Sequence, residues 1–189
     1  MRVITTSIAA CLIAAPALAQ STPAAGPSQP LTPGAVLVRL AQGAWANAKR
    51  DVVESADQMP ESAYAFKPVE SVRTFGQIIA HVADSNNYYC ARAKGEPPPI
   101  PDGTLEKTAT TKAAIVKALA ESVAYCDAVY TSLTDKSAAE LVKMGNNMNP
   151  RVQPLFANAA HNVEHYGNLV TYFRIKGMVP PSTKREGGS

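Results

Sequence analysis

The chain has 189 residues and a formal net charge of +3, with 18 Lys and Arg against 15 Asp and Glu. The basic residues are scattered along the sequence, which excludes the concentrated basic face that nucleic acid requires. No apolar run reaches the roughly 20 residues of a membrane-spanning helix.

The chain opens with a targeting pattern. Met1-Arg2 is a short basic start, Val3 to Pro16 is mostly apolar, and Ala17-Leu18-Ala19 is a small-x-small signal before Gln20. Residues 1–19 therefore read as a secretory signal peptide cut at Ala19/Gln20, and the mature protein as periplasmic or secreted. Ile8-Ala9-Ala10-Cys11 also resembles a lipoprotein leader, but the apolar stretch before Cys11 is short for one. Residues 20–31 are rich in Pro, Ala and Ser and read as a flexible lead-in. Residues 32–181 have the size of one domain. Residues 182–189 are polar and read as a disordered tail.

Four long helices are predicted, with no strand pattern. The first spans about Thr32 to Ala56, with Pro33 suited to a first helical turn and an apolar stripe of Val36, Leu37, Leu40, Trp45, Val52 and Val53. The second runs from Thr74 to Lys94. Thr74-Phe75-Gly76-Gln77 fits a capping box, and Gly95 is a stop. The third spans about Thr111 to Leu133. A short helix is expected at Ser137–Met144. The fourth runs from about Pro154 to Gly177, with Pro180-Pro181 beyond it. These elements make an all-α fold, a four-helix bundle.

The link between the second and third helices sets the topology. Gly95-Glu96-Pro97-Pro98-Pro99-Ile100-Pro101-Asp102-Gly103 and the polar stretch to Thr110 are long for a hairpin. Extended at roughly 3.1 Å per residue, they reach the roughly 30 Å of a 20-residue helix. A long crossover between parallel helices follows. The cysteines agree. Cys90 stands sixteen residues after Thr74, and Cys126 fifteen after Thr111. Parallel helices bring them level, whereas a hairpin separates them by about 15 Å. In an exported chain this pair favours a disulfide. Two buried free thiols, acting as small hydrophobes, are the alternative.

The chain has three histidines. His161 and His165, at i and i+4, project from one face of the fourth helix. His81 lies in the second helix, at a height that an antiparallel fourth helix matches. Three imidazoles with a fourth position free are the donor set of an open metal site. Zinc, nickel, iron and manganese all accept imidazole, so the divalent metal is left open. His161-Asn162-Val163-Glu164-His165 also fits H-x-x-E-H, an inverted zinc-peptidase pattern. That pattern needs a further acidic ligand downstream, and only Glu186 follows. Polar residues share the histidine faces: Gln77, Asp84 and Tyr88 with His81, and Asn168 and Tyr172 with His161 and His165. They are candidates for orienting the imidazoles or a substrate. Tyrosines on such faces also simply pack, with hydroxyls at the rim. Glu164 lies about 60° round the helix from His161, and Arg174 suits a helix C-terminus. No phosphate-binding glycine loop or nucleophile elbow is present.

Phe75-Gly76-Gln77-Ile78-Ile79-Ala80-His81-Val82-Ala83-Asp84, Tyr88-Tyr89-Cys90 and Ala124-Tyr125-Cys126-Asp127 carry a resemblance. So does His161 through Tyr172, with Arg174, Gly177 and Pro180-Pro181. From about Thr32 to Ser182 the chain resembles the DinB-like superfamily, particularly its exported members. That resemblance implies a four-helix bundle with a crossover between helices two and three. It also implies a divalent metal on His81, His161 and His165, and a homodimer. Relatives include transferases and isomerases that use low-molecular-weight thiols in the cytoplasm. This chain departs from them in being exported. It also carries Asn168 where glutamine is common in the wider family.

The expected function is metal-dependent hydrolysis or transfer on a small molecule, with Asp84, Tyr88, Asn168 or Tyr172 orienting the reacting group. The other class is a non-catalytic metal or small-ligand binder, or a stress-related envelope protein. Asp84 would then close the site as a fourth ligand.

Overall fold

A computed structural model describes residues 30–187. The predicted signal peptide and nearly all of the predicted lead-in lie outside the described residues. Four long helices form the body: α1 (Pro33–Gln58), α2 (Phe75–Lys94), α4 (Lys112–Ser132) and α6 (Val152–Ile175). Short elements join them: a 3₁₀ turn (Glu61–Ala63), α3 (Leu105–Thr108), α5 (Asp135–Ala139), strands β1 (Leu141–Met144) and β2 (Asn147–Pro150), and α7 (Pro181–Glu186).

Local chemistry sets the ends of the long helices. The hydroxyls of Thr32, Thr74 and Thr111 each accept a backbone N–H of the first turn of α1, α2 and α4. At α2 the Gln77 side chain returns the bond to Thr74 N at 2.8 Å, completing the capping box. Gly95 ends α2 at φ 79°, a left-handed conformation that costs glycine little.

Paired contacts give the directions. Ile115 lies against Gly76, Ser122 accepts from Asn86 and Cys126 is bonded to Cys90, so α2 and α4 run parallel. Arg73 meets Tyr172, Asn86 meets Asn162 and Cys90 meets Asn158, so α6 runs antiparallel to α2. Residues between α2 and α4 make the crossover, as the linker length requires. A Cβ at Gly76 would stand 3.0 Å from Ile115 Cδ1 and 3.2 Å from the Tyr64 carbonyl oxygen. Glycine there lets the amino ends of α2 and α4 approach.

Apolar packing falls into two clusters. One gathers Val52, Phe75, Ile79, Leu169 and Phe173. The other gathers Trp45, Cys90, Cys126, Tyr130 and Leu155, with Trp45 stacked on Tyr130 at 5.0 Å. Buried Asn86, Asn158, Asn162 and Ser122 lie between the two along α2, α4 and α6, bonded to one another. Asn158 turns its amide toward both sulfurs, at 3.8 and 3.7 Å.

Two expectations are corrected. The segment Ser137–Met144 is not one helix. Thr134 starts α5 early through a capping box with Ser137, and Leu141–Met144 instead pairs antiparallel with Asn147–Pro150. The two-residue loop Gly145-Asn146, with Gly145 at φ 60°, suits a hairpin, and Val142 alternates inward while Leu141 faces out. The tail is also ordered through residue 186. Ser182 exchanges hydrogen bonds with the Tyr166 hydroxyl, Lys184 donates to Gln58, and Arg185 pairs with Asp51 and Glu54. Polar composition hid this docking, because its partners lie on α1 and α6.

Candidate metal centre

His81 projects from α2 and His161 and His165 from α6, so the antiparallel pairing brings the three rings together. One ring nitrogen from each lies within 4.8 Å of the others. Nε2 of His165 and Nε2 of His161 stand 3.1 Å apart. Two nitrogens on one metal at ~2.0–2.1 Å are separated by roughly 3.0–3.4 Å, so this spacing fits a shared ion. Burial lowers the pKa of all three rings, to about 4 at His161, where His165, His81 and Arg73 add to the effect. The rings are therefore neutral near pH 7, the form that ligates metal. His161 Nδ1 is buried without a hydrogen-bond partner. The donor set and its spacing fit a divalent cation.

Each ring has a different neighbour. His81 Nδ1 lies 3.3 Å from Glu106 Oε2. His165 Nδ1 lies 3.3 Å from the Asn168 side-chain amide. His161 has Ser85 Oγ at 3.5 Å from its Nε2 and the Tyr89 ring at 5.9 Å. A cleft of about 790 Å³ opens beside the triad, with Arg73, Gln77, Glu106, His165, Asn168 and Tyr172 in its wall.

Among the four residues expected to orient a reacting group, Asn168 reaches the triad directly. Asp84 does not. It is 1% exposed, and its carboxylate accepts the backbone N–H groups of Leu105 (3.0 Å) and Glu106 (2.9 Å). It thereby anchors α3 to α2, and its oxygens are committed away from a metal. Tyr88 packs against Tyr89 and under Arg92, and the ring that meets His161 is Tyr89. Tyr172 lines the cleft, but its hydroxyl donates to the Arg73 carbonyl. Gln77 is held by the α2 cap. Glu164 is exposed, and among the described residues no acidic ligand joins the three histidines in their cluster, against the peptidase reading. Arg174 donates to Thr183 on α7.

Sequence reading missed Glu106, Arg73 and Tyr89. Glu106 and Arg73 form a two-point ion pair, with Arg73 Nε to Oε1 at 2.8 Å and Nη2 to Oε2 at 3.3 Å. Glu106 sits in a crossover without periodicity, so no local signal marks it. Tyr89 was visible beside Tyr88, one step of about 100° round α2.

Cys90 and Cys126 form a disulfide, with Cα atoms 5.4 Å apart. No helix among the described residues is long and apolar enough to cross a membrane.

Residues 44–169 match the family model of the DinB superfamily. Among solved structures, the chain resembles a DinB-like protein from Bacillus cereus at 14% identity and TM-score 0.64, covering 75% of this chain and 93% of that one. It also resembles a conserved protein from Enterococcus faecalis at 17% identity and TM-score 0.58, covering 72% and 95%. A mycothiol-dependent maleylpyruvate isomerase is similar at 14% identity and TM-score 0.58, covering 70% of this chain and 60% of that one. These likenesses show the fold. No curated protein matches the chain.

Proposed function

The chain belongs to the DinB superfamily, and from that premise we propose that it is an exported protein holding one divalent metal ion on His81, His161 and His165. Its activity is metal-dependent hydrolysis or group transfer on a small molecule held in the adjoining cleft. The observation that carries this reading is the convergence of three neutral imidazoles on one point, with His165 in the cleft wall. A bound metal would supply Lewis acidity, polarising a substrate oxygen or thiol or lowering the pKa of water. The protein's own residues set the conditions. Burial keeps the imidazoles unprotonated. The Asn168 amide nitrogen stands 3.3 Å from His165 Nδ1; the amide turned end for end would place its oxygen to accept the Nδ1–H and leave that ring's Nε2 for the ion. Asp84 is occupied by the crossover, which leaves three protein ligands rather than four and favours an open site over a structural one.

The solved isomerase relative uses mycothiol. The N-terminal leader directs this chain away from the cytoplasm, where such thiols are abundant, which favours hydrolysis over thiol-dependent transfer.

Elemental analysis of protein purified without chelator from its native compartment tests the reading. About one divalent metal per chain is expected, falling below about 0.1 in His81→Ala. Equal metal content in the two proteins would overturn it.

A further inference from the structure

The crossover does more than connect α2 to α4. Its short helix α3 lies on α2, with the two backbone N–H groups at its start bonded to the buried Asp84 carboxylate. Asp84 is one turn beyond His81 on that helix, so this anchor fixes the strap close to the histidine. Glu106, the second residue of α3, then stands between Arg73 and His81. Arg73 holds both carboxylate oxygens and so fixes the plane of the group. The oxygen facing His81 lies 3.3 Å from Nδ1.

We propose that Glu106 is a positioning residue for the metal centre. Its carboxylate accepts the Nδ1–H of His81, selects that tautomer and turns Nε2 toward His161 and His165, while Asp84 acts on the site only through the strap. The chemistry is that of a ligating histidine whose second nitrogen donates to a carboxylate, which orients the ring and strengthens it as a ligand. The three ligands are then unequal. His81 is held by a charged group from the crossover, His165 by the neutral amide of Asn168, and His161 Nδ1 by no hydrogen-bond partner. The strap therefore determines how firmly α2 contributes to a site whose other two ligands come from α6. This rests on the three-histidine metal reading above.

Two measurements separate the inference from its premise. The first needs no metal. In metal-free protein, ¹⁵N chemical shifts of the His81 ring should report the Nδ1–H tautomer in wild type. In Glu106→Ala, Nε2–H should gain at its expense. An unchanged tautomer in Glu106→Ala would overturn the proposal. The second is titration with zinc alone against a chromophoric chelator. Glu106→Ala should bind about 10- to 100-fold more weakly, with Glu106→Gln between it and wild type, because the amide oxygen still accepts the proton. The Asp84→Ala/Glu106→Ala double variant should bind no more weakly than Glu106→Ala, since both changes break one chain of contacts. Fully additive losses would refute the route through the strap, and so would wild-type zinc affinity in Glu106→Ala. If wild type binds no zinc but its His81 tautomer still depends on Glu106, the metal reading fails and the hydrogen bond stands. Far-ultraviolet dichroism of each variant confirms that the helices are intact. Should Asp84→Ala unfold, Asp84→Asn, which retains one acceptor oxygen, takes its place in the cycle.

Discussion

The two ends of the bundle share α2, α4 and α6 but are held in different ways. At one end the Cys90–Cys126 bridge, the Trp45–Tyr130 stack and Leu155 close the core. At the other, α2 and α6 turn three imidazoles toward one another beside a cleft walled mainly by residues 67–73 before α2 and by α6, with Glu106 from the crossover. Nine residues of α2, roughly 13 Å, separate His81 from Cys90. The histidine end carries groups that favour neither compactness nor stability: desolvated rings, an unpaired His161 Nδ1 and opposed nitrogens. The closed end leaves the Nε atoms of Arg92 and Arg151 buried without hydrogen-bond partners but gathers no cluster of titratable rings, and it fixes the helices that present the site. Stability and chemistry are thus separated along the same helices.

The strongest way to break that comparison is to open the closed end. The bridge closes a loop with a sequence separation of 36, so replacing both cysteines by alanine should cost ~4 kcal/mol on the chain-entropy account. A urea midpoint measures the loss. Zinc stoichiometry should stay near one per chain where the protein is folded. Loss of zinc binding in folded variant would show that the two ends are not separable.

His161→Ala should do the reverse. It removes one of three ligands and should weaken zinc binding at least a hundredfold, equivalent to ~2.7 kcal/mol, with the urea midpoint of the metal-free protein unchanged or raised. The midpoint should not fall, because a poorly satisfied ring is lost.

As pH falls from 6.5 toward 4, acid should act first on the histidine end. Burial first, then His165, His81 and Arg73, hold His161 down to about 4 from an ordinary value of 6.5. Between these values the unfolded chain binds more protons than the folded one. Metal-free protein should therefore keep the full contribution of this ring above pH 6.5 and lose it progressively as pH falls toward 4. In His161→Ala the decline should be shallower, whereas the double cysteine variant should keep the wild-type slope.

The smallest effect tests a single cap. Thr74→Ala removes the hydroxyl that accepts Gln77 N at the start of α2 and should cost ~1 kcal/mol, read from the same urea midpoint. A loss near zero would mean that the packing of Phe75 and Gly76 alone fixes this end of the helix.

The long helices were legible because their signals are local. Thr74 with Gln77, Gly95, Thr111 and Gly177 mark ends through hydrogen bonds that span four or five residues. The cysteine heights and linker length were enough to read α2 and α4 as parallel. The hairpin after α5 was not read, since four-residue strands offer little alternation and Gly145-Asn146 was the main cue. The docking of α7 depended on Asp51 and Glu54, more than 130 residues earlier.

The candidate site divides in the same way. The sequence by itself determined the helices and the three histidines, because i, i+4 spacing and helix height are properties of a regular backbone. Only the tertiary structure decided which polar groups meet those rings. It took Asp84 for the crossover, Tyr172 for the Arg73 carbonyl and Tyr88 for Arg92, and brought in Glu106, Arg73 and Tyr89. The physical reason is that the crossover has no long run of backbone hydrogen bonds to set its path. Where Glu106 stands depends on contacts with α2 that exist only once the bundle has formed.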